Sequence, residues 1–456
     1  MSFAVNIDKR VKSLSASRVL DVLVLADTST KHINTVDDHI RGLVQFSRHR
    51  VVDFDFRAFN PSTDQRLPFS FDRFDVVVLH YSVVVADRGR LSRAFRERLR
   101  SYRGLKVIFI QDEYRWINET AKAIEECEFN ILFSVVNEEI VHKIYHHEGL
   151  KGVTKKVTLT GFVPKALLSM NVPAYQERRV DVGYRARRVP AWLGSFAHEK
   201  WVIGQRFLEV GQAANLVCDI ESDEQKRLYG RAWINFLSNC KAVLGTESGA
   251  SVCDFDGSIQ EHVEAFEAQH PDVHFDQVRD RFFSQADGAL TISVISPRCF
   301  EAAALRTLMI LYPGKYSGRL KAWQHYVPLE RDFSNIKEVL AVIRDPSMAE
   351  AITERAYQEV ACNFDNTFEA MVADFDAAID AEWPLRHFQR VRQEPSLENI
   401  RRLGRRIETY LQVRQSLVLG ARRVVNSSIK TIVPKSAQPA VTRAAQSIWR
   451  RLIKVA

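Results

Sequence analysis

The chain has 456 residues, 46% of them hydrophobic and 26% charged, which suffices for two domains of ordinary size plus an appendage. It contains neither a signal-peptide core nor an apolar run long enough to span a bilayer, and its six widely spaced cysteines, with no CxxC pair, argue against a disulfide framework or a zinc site. The net charge of +8 belongs to the tail: residues 386–456 hold 16 Lys or Arg against 3 Asp or Glu, leaving 48 against 53 in residues 1–385, which argues against a basic nucleic-acid-binding body. A cytoplasmic protein with no nucleic-acid partner and no metal is expected.

Val19 to Leu25 reads as a strand ending at Ala26-Asp27-Thr28. A helix over Val36 to Phe46 and a second strand, Val51 to Phe56, follow. Phe74 to Leu79, Lys106 to Ile110 and Phe129 to Val135 read as three more strands, with a charged helix over Leu91 to Tyr102. Strands alternating with helices at this spacing specify a parallel, doubly wound sheet, which binds ligands beyond the carboxyl ends of its strands. That rim collects Asp27, Thr28, His32, His80, Tyr81, Asp112 and Glu113, residue types that equally serve to cap helices. Val157 to Phe162 reads as a last short strand, and the irregular stretch after it marks a boundary. Domains are expected at 1–170 and 171–385, with the tail at 386–456.

Asp181-Val182-Gly183-Tyr184-Arg185 opens the second domain as a strand. Gly204 to Ala214 and Arg227 to Leu237 read as helices, Leu216 to Ile220 and Cys240 to Leu244 as strands. The last runs into Gly245-Thr246-Glu247-Ser248-Gly249, small residues around one acid. At a strand's carboxyl end such a loop lets the backbone approach a sugar or phosphate closely, with Gly245 and Ser248 as candidate contacts. The acids and histidines of Asp254 to Asp280 show no metal-ligand spacing.

Leu290 to Ile295 has the apolar pattern of a buried parallel strand. Ser296 suits a helix cap and Pro297 the first helical position, so Phe300 to Arg306 is expected as a short helix with Glu301 in its first turn. Leu308 to Leu311 is another strand, and Tyr326-Val327-Pro328-Leu329 begins a third. Arg298-Cys299-Phe300-Glu301-Ala302-Ala303-Ala304, followed by Thr307 and an apolar strand, resembles the nucleotide-sugar site of glycosyltransferases of the GT-B fold. Among these it is most similar to the Pro-Arg-x-Phe-Glu-Ala segment of bacterial family 1 chains related to spore-maturation CgeB-like proteins.

The resemblance implies two Rossmann-like α/β domains that clamp a nucleoside diphosphate sugar and an acceptor between them, without a cofactor or metal. In such families a Glu at the position of Glu301 accepts hydrogen bonds from the donor's ribose hydroxyls, and basic groups hold its diphosphate. Arg298, Arg185 and Lys315 are the candidates here, with Arg187 and Arg188 in reserve for Arg185 and Lys200 as the candidate for the Lys that such chains carry farther on. On the first domain's rim, His80 or Asp112 is the expected general base for an acceptor hydroxyl. The pattern departs at Ser293, where many retaining members carry a second Glu, so the stereochemical outcome stays open. Without the resemblance, Glu301 reads as a helix cap and Arg185 as part of a solvated basic loop.

Ile336 to Arg344, Met348 to Val360 and Phe368 to Glu382 read as helices, the last resembling the helix with which GT-B chains cross back to the first domain. In the tail, Leu397, Ile400, Leu403, Ile407 and Leu411 recur at three and four residues. Val441, Ala445, Ile448, Trp449, Leu452 and Ile453 repeat the pattern. Such basic amphipathic helices suit either an anionic bilayer surface, at the inner face of the plasma membrane, or packing on the body or another subunit. The expected function is transfer of a sugar to a glycan or lipid-linked acceptor, in envelope polysaccharide synthesis. A nucleotide-sugar epimerase and a non-catalytic sugar-nucleotide-binding or scaffold protein are the alternatives.

Overall fold

In strand β1 (Asp21–Ala26) every residue is buried, as a strand covered by helices on both faces requires. It sits inside a sheet with β2 (Arg50–Asp55), β3 (Val76–Leu79), β4 (Leu105–Ile110), β5 (Ile131–Ser134) and β6 (Thr154–Val157), in the order β2-β1-β3-β4-β5-β6. All neighbours are parallel. Helices α1 (Asn34–Phe46), α2 (Arg93–Ser101), α3 (Ile117–Glu126) and α4 (Glu138–Ile144) join them. The strand order reverses between β1 and β3, the point at which doubly wound sheets open a binding crevice. The computed structural model describes residues 18–31, 33–59, 68–87, 89, 91–385 and 395–432.

The sixth strand lies three residues earlier than the sequence places it. As an edge strand it tolerates Lys155 and Lys156. Leu159 and Phe162, which make Val157 to Phe162 look strand-like, instead pack where the chain passes between the domains.

The second sheet contains β7 (Val180–Arg185), β8 (Cys218–Glu221) and β9 (Cys240–Gly245), with helices α5 (Ser195–Ala213) and α6 (Gly230–Asn239) between them. After β9 the chain leaves the sheet through β10 (Ser248–Ala250), α7 (Ser258–Gln269), α8 (Phe275–Phe282) and β11 (Ile292–Val294). It returns through α9 (Pro297–Ala304), β12 (Leu308–Leu311) and β13 (Val327–Pro328). The order is β13-β12-β9-β7-β8, again parallel throughout.

Strand β11 corrects the expectation of a buried parallel strand over Leu290 to Ile295. It pairs antiparallel with β10 and stays outside the parallel sheet. Ile292 and Val294 are buried while Ser293 is not, the alternation of a half-covered ribbon rather than the continuous run of a central parallel strand. The ribbon reaches into the first domain, where Ile292 and Val294 join its core. Gly249, at φ +127°, permits the pairing, since a Cβ there would lie 1.9 Å from the Ile292 carbonyl oxygen.

Helices α10 (Ile336–Arg344) and α11 (Pro346–Ala356) close the second sheet, and α12 (Phe368–Glu382) crosses back to the first. Thr367 caps α12 by accepting from Ala370 N. Its Phe368, Val372, Phe375 and Ile379 pack on Val22, Val24 and Phe109 of the first sheet. Two doubly wound parallel sheets joined in this way are the two Rossmann-like domains of a GT-B arrangement.

Helix α13 (Leu397–Ile432) begins the tail. Ile400 is fully buried in the first domain's core, with Leu397, Leu403 and Ile407 packed beside it. A Cβ on Gly404 would meet the Phe54 ring at 3.3 Å, so the helix lies tightly on β2. Lys31 ties it further, 3.2 Å from Glu408. Over residues 397–407, then, the apolar stripe packs on the body, while Tyr410, Val413 and Leu417 beyond it are exposed. The second amphipathic pattern, Val441 to Ile453 with Trp449, lies outside the described residues, as does His32.

Candidate functional site

The carboxyl ends of both sheets face a common cleft of about 460 Å³. From the first domain, Asn34 and Thr35 after β1 and Gln111 and Asp112 after β4 line it. From the second come Arg185, Gly245, Ser248, Arg298 and Glu301. Thr160 helps fix the two walls, its hydroxyl donating to the Ile295 carbonyl at 2.5 Å.

Glu301 sits on the buried face of α9, 6% exposed, and not in the first turn where the sequence placed it. Pro297 does start the helix, but Ser296 makes no side-chain cap bond. Glu301 therefore caps nothing. Its Oε2 accepts the indole N–H of Trp233 at 2.8 Å. Burial pushes its carboxyl up to about 7, against the Trp233 hydrogen bond and the Arg298 charge, which draw it down. A buried, singly bonded carboxyl on a cleft wall keeps acceptor capacity for a ligand's hydroxyls.

Arg298 lies exposed beside it, 5.2 Å over the Trp233 ring, with Nη1 donating to the Arg185 carbonyl at 2.5 Å. Lys200, on α5, and Arg187 complete a cationic wall. Burial and the neighbouring Arg298 push the Lys200 ammonium down to about 8, with Asp112 pulling the other way and Arg187 adding to the fall. Arg185 is placed at the end of β7 as expected, with both terminal nitrogens of its guanidinium held by the protein. Nη2 donates to Asp219 Oδ1 and Nη1 to the Asp219 carbonyl, both at 2.8 Å, and the group lies 4.3 Å over Phe236. Its charge is paired with Asp219, while its Nε is buried without a hydrogen-bond partner among the described residues.

Lys315 corrects a second expectation. The Gly314–Gly318 loop lines a different cavity, not this cleft. Gly245 and Ser248 do reach the cleft, whereas Glu247 between them turns inward, where its Oε1 accepts from Tyr316 N at 2.7 Å.

On the first domain's wall Asp112 is exposed to the cleft and accepts from the Tyr114 hydroxyl at 2.9 Å. His80 is elsewhere. It is fully buried, 3.1 Å from His39 Nδ1 and 2.9 Å from Ser82 Oγ, and burial holds its imidazole well below the usual range. A histidine without access to solvent or cleft is a packing group; β3 ends at Leu79, opposite Ile108, while β4 runs on to Ile110 and carries Asp112 farther toward the cleft.

Sequence reasoning missed Trp233, Asn34, Thr35 and Thr160. Nothing marks Trp233 within Gly230–Asn239 except an apolar face at helical spacing; only the packing of α6 against α9 brings it to Glu301. Among the described residues no cluster of His, Cys, Asp or Glu could hold a metal ion.

No protein-family model and no curated protein sequence matches the chain. Solved structures are similar at low identity. An α-glucosyltransferase in complex with UDP shares 9% identity and a TM-score of 0.44, covering 79% of this chain and all of its own. The HepE protein of Anabaena in complex with UDP shares 10% identity and a TM-score of 0.45, over 78% of this chain and 99% of its own. A glycosyltransferase from Rickettsia africae shares 10% identity and a TM-score of 0.42, over 81% and 99%. The fold stands on the strand orders and the returning helix themselves.

Proposed function

We propose that the chain is a glycosyltransferase that moves a sugar from a nucleoside diphosphate donor to an acceptor hydroxyl. The observation that carries this reading is Glu301, a buried carboxyl in an interdomain cleft, flanked by an exposed Arg298 and by Lys200. A carboxylate that accepts two ribose hydroxyls beside cations that meet a diphosphate matches the two polar ends of a nucleoside diphosphate. Arg298, Lys200 and Arg187 would then stabilise the charge that develops on the departing diphosphate in a water-poor site. Asp112, which lines the cleft from the first domain, would take the acceptor's proton in this reading.

The acceptor in this reading is a glycan or a lipid-linked sugar of the cell envelope. Support comes from α13, which runs on to Ile432 and, beyond the stripe packed on the body, exposes Tyr410, Val413 and Leu417. With the arginines of the tail these suit reversible attachment to an anionic bilayer. No described helix is long and apolar enough to cross one.

The test is a calorimetric screen of nucleoside diphosphate sugars, followed by measurement of nucleoside diphosphate release. Binding of one donor, lost in Glu301→Ala, supports the reading; no binding by the folded wild type rejects it. For the membrane part, full-length protein should sediment with anionic vesicles, and less so at high salt. A chain ending at Thr409, which lacks Tyr410, Val413 and Leu417, should not, and equal sedimentation of both would exclude the tail.

A further inference from the structure

On the far side of β11 from the cleft lies a second cavity of about 340 Å³. Alternation along the strand puts Ile292 and Val294 on the cleft and Ser293 on this cavity, so a single strand is the wall between them. The floor is apolar, with Phe133, Phe162 and Met371. The mouth is polar and draws on both domains.

Two cations stand at that mouth, Lys315 and Arg319. Among the described residues, neither side chain is in an ion pair or a hydrogen bond. They bracket a loop in which Tyr316, Ser317 and Gly318 are all left-handed, at φ 45°, 51° and 73°. Two consecutive non-glycine residues in that region are strained, and such strain persists where surrounding contacts impose it, often at ligand sites. Here the contacts are explicit. Glu247 accepts from Tyr316 N at 2.7 Å, the Tyr316 hydroxyl donates to the Tyr312 carbonyl at 2.6 Å, and Ser317 Oγ accepts from Ile295 N at 3.1 Å. The loop is thus locked in the shape that presents both cations to the cavity.

The remaining polar groups are hydroxyls and carboxylates: Thr158 and Ser293 with Ser317, then Asp365 and Asp374. A bare anion has no use for the carboxylates, and a neutral sugar none for the paired cations. A molecule with several hydroxyls and one anionic group uses both, and the volume is that of a small-ligand pocket. We propose that this cavity is a second carbohydrate site, separate from the cleft, which takes a monosaccharide bearing a phosphate or carboxylate. Its anionic group meets Lys315 and Arg319, and its hydroxyls meet the carboxylates and the hydroxyl side chains.

The experiment is calorimetry on the full chain with glucose 6-phosphate, glucuronate, glucose and inorganic phosphate as separate probes. At least one of the two anionic sugars should bind, with glucose and inorganic phosphate weaker by about tenfold or more, since each lacks half of the contacts. Whether glucose 6-phosphate or glucuronate binds more tightly identifies the anionic group. Lys315→Ala with Arg319→Ala should weaken that binding by about tenfold or more, without moving the thermal midpoint or the affinity for UDP, whatever that affinity is. Lys315→Glu, at an exposed position, should repeat the loss. No binding of either anionic sugar, inorganic phosphate binding as tightly as the sugars, or unchanged affinity in the double variant each overturns the proposal.

Discussion

The Trp233 indole N–H points at Glu301 Oε2 from 2.8 Å and, with Arg298 lying over the same ring, ties helices α6 and α9 into one wall of the cleft. Trp233→Phe keeps the ring and removes the donor. A buried carboxyl that loses its hydrogen bond becomes harder to ionise, so the Glu301 carboxyl should rise further above about 7. Donor affinity near neutral pH should fall with it, by about 1 kcal/mol, and recover at higher pH. An affinity indifferent to pH in the variant would show that the bond does not tune Glu301.

The same group and Lys200 set the pH dependence of donor binding. Accepting two hydroxyls requires ionised Glu301, whose carboxyl stands at about 7, so affinity should fall as pH drops through that value. Holding a diphosphate requires charged Lys200, whose ammonium stands at about 8, so affinity should also fall as pH rises through it. Binding should release protons at about pH 6 and take them up at about pH 9, read by calorimetry in buffers of different ionisation enthalpy. Glu301→Gln should flatten the acid limb and Lys200→Met the alkaline one.

Arg185 and Arg298 separate structure from binding. Arg185→Ala leaves Asp219 without its partner and uncovers Phe236, and should cost about 1 to 3 kcal/mol of stability in urea denaturation while donor affinity is retained. Arg298→Ala, at an exposed position, should leave stability within about 0.5 kcal/mol and weaken the donor. The opposite pattern would return the diphosphate role to Arg185.

The tail divides at about Ile407. Ile400→Ala should destabilise the first domain by about 2 to 5 kcal/mol, as removal of a fully buried aliphatic side chain does. A chain ending at Pro384 should suffer at least as much, since it uncovers Phe54 and breaks the Lys31–Glu408 ion pair. A chain ending at Arg414 should denature like the full protein. Equal stability of all three would mean that α13 does not pack as described.

Much of this was legible in the sequence, and the misses have physical causes. Strands such as Val76–Leu79 and Leu105–Ile110 are continuous apolar runs bounded by polar turns, and Pro297 marks a helix start by its fixed φ. Strand β11 was misread because the six residues Leu290 to Ile295 cannot distinguish a short alternating ribbon from a central strand. His80 and Asp112 follow strands in the same way, yet one is buried and the other faces the cleft, a difference set by where each strand stops relative to its neighbours. The settings of Arg185 and Lys315 differ from the expected ones for reasons of direction. Sequence gives the position of a basic residue along the chain, not the Asp219 that claims it or the left-handed turn that aims it elsewhere.

The most direct measurement is calorimetric titration of nucleoside diphosphate sugars into the wild type and Glu301→Ala, with folding of both verified by thermal unfolding. The account predicts saturable binding of at least one donor by the wild type and a loss of about 1 to 3 kcal/mol in the variant, the value of charge-assisted hydrogen bonds to the ribose. Equal affinity of the two proteins for every donor, or no binding by the wild type, would contradict it.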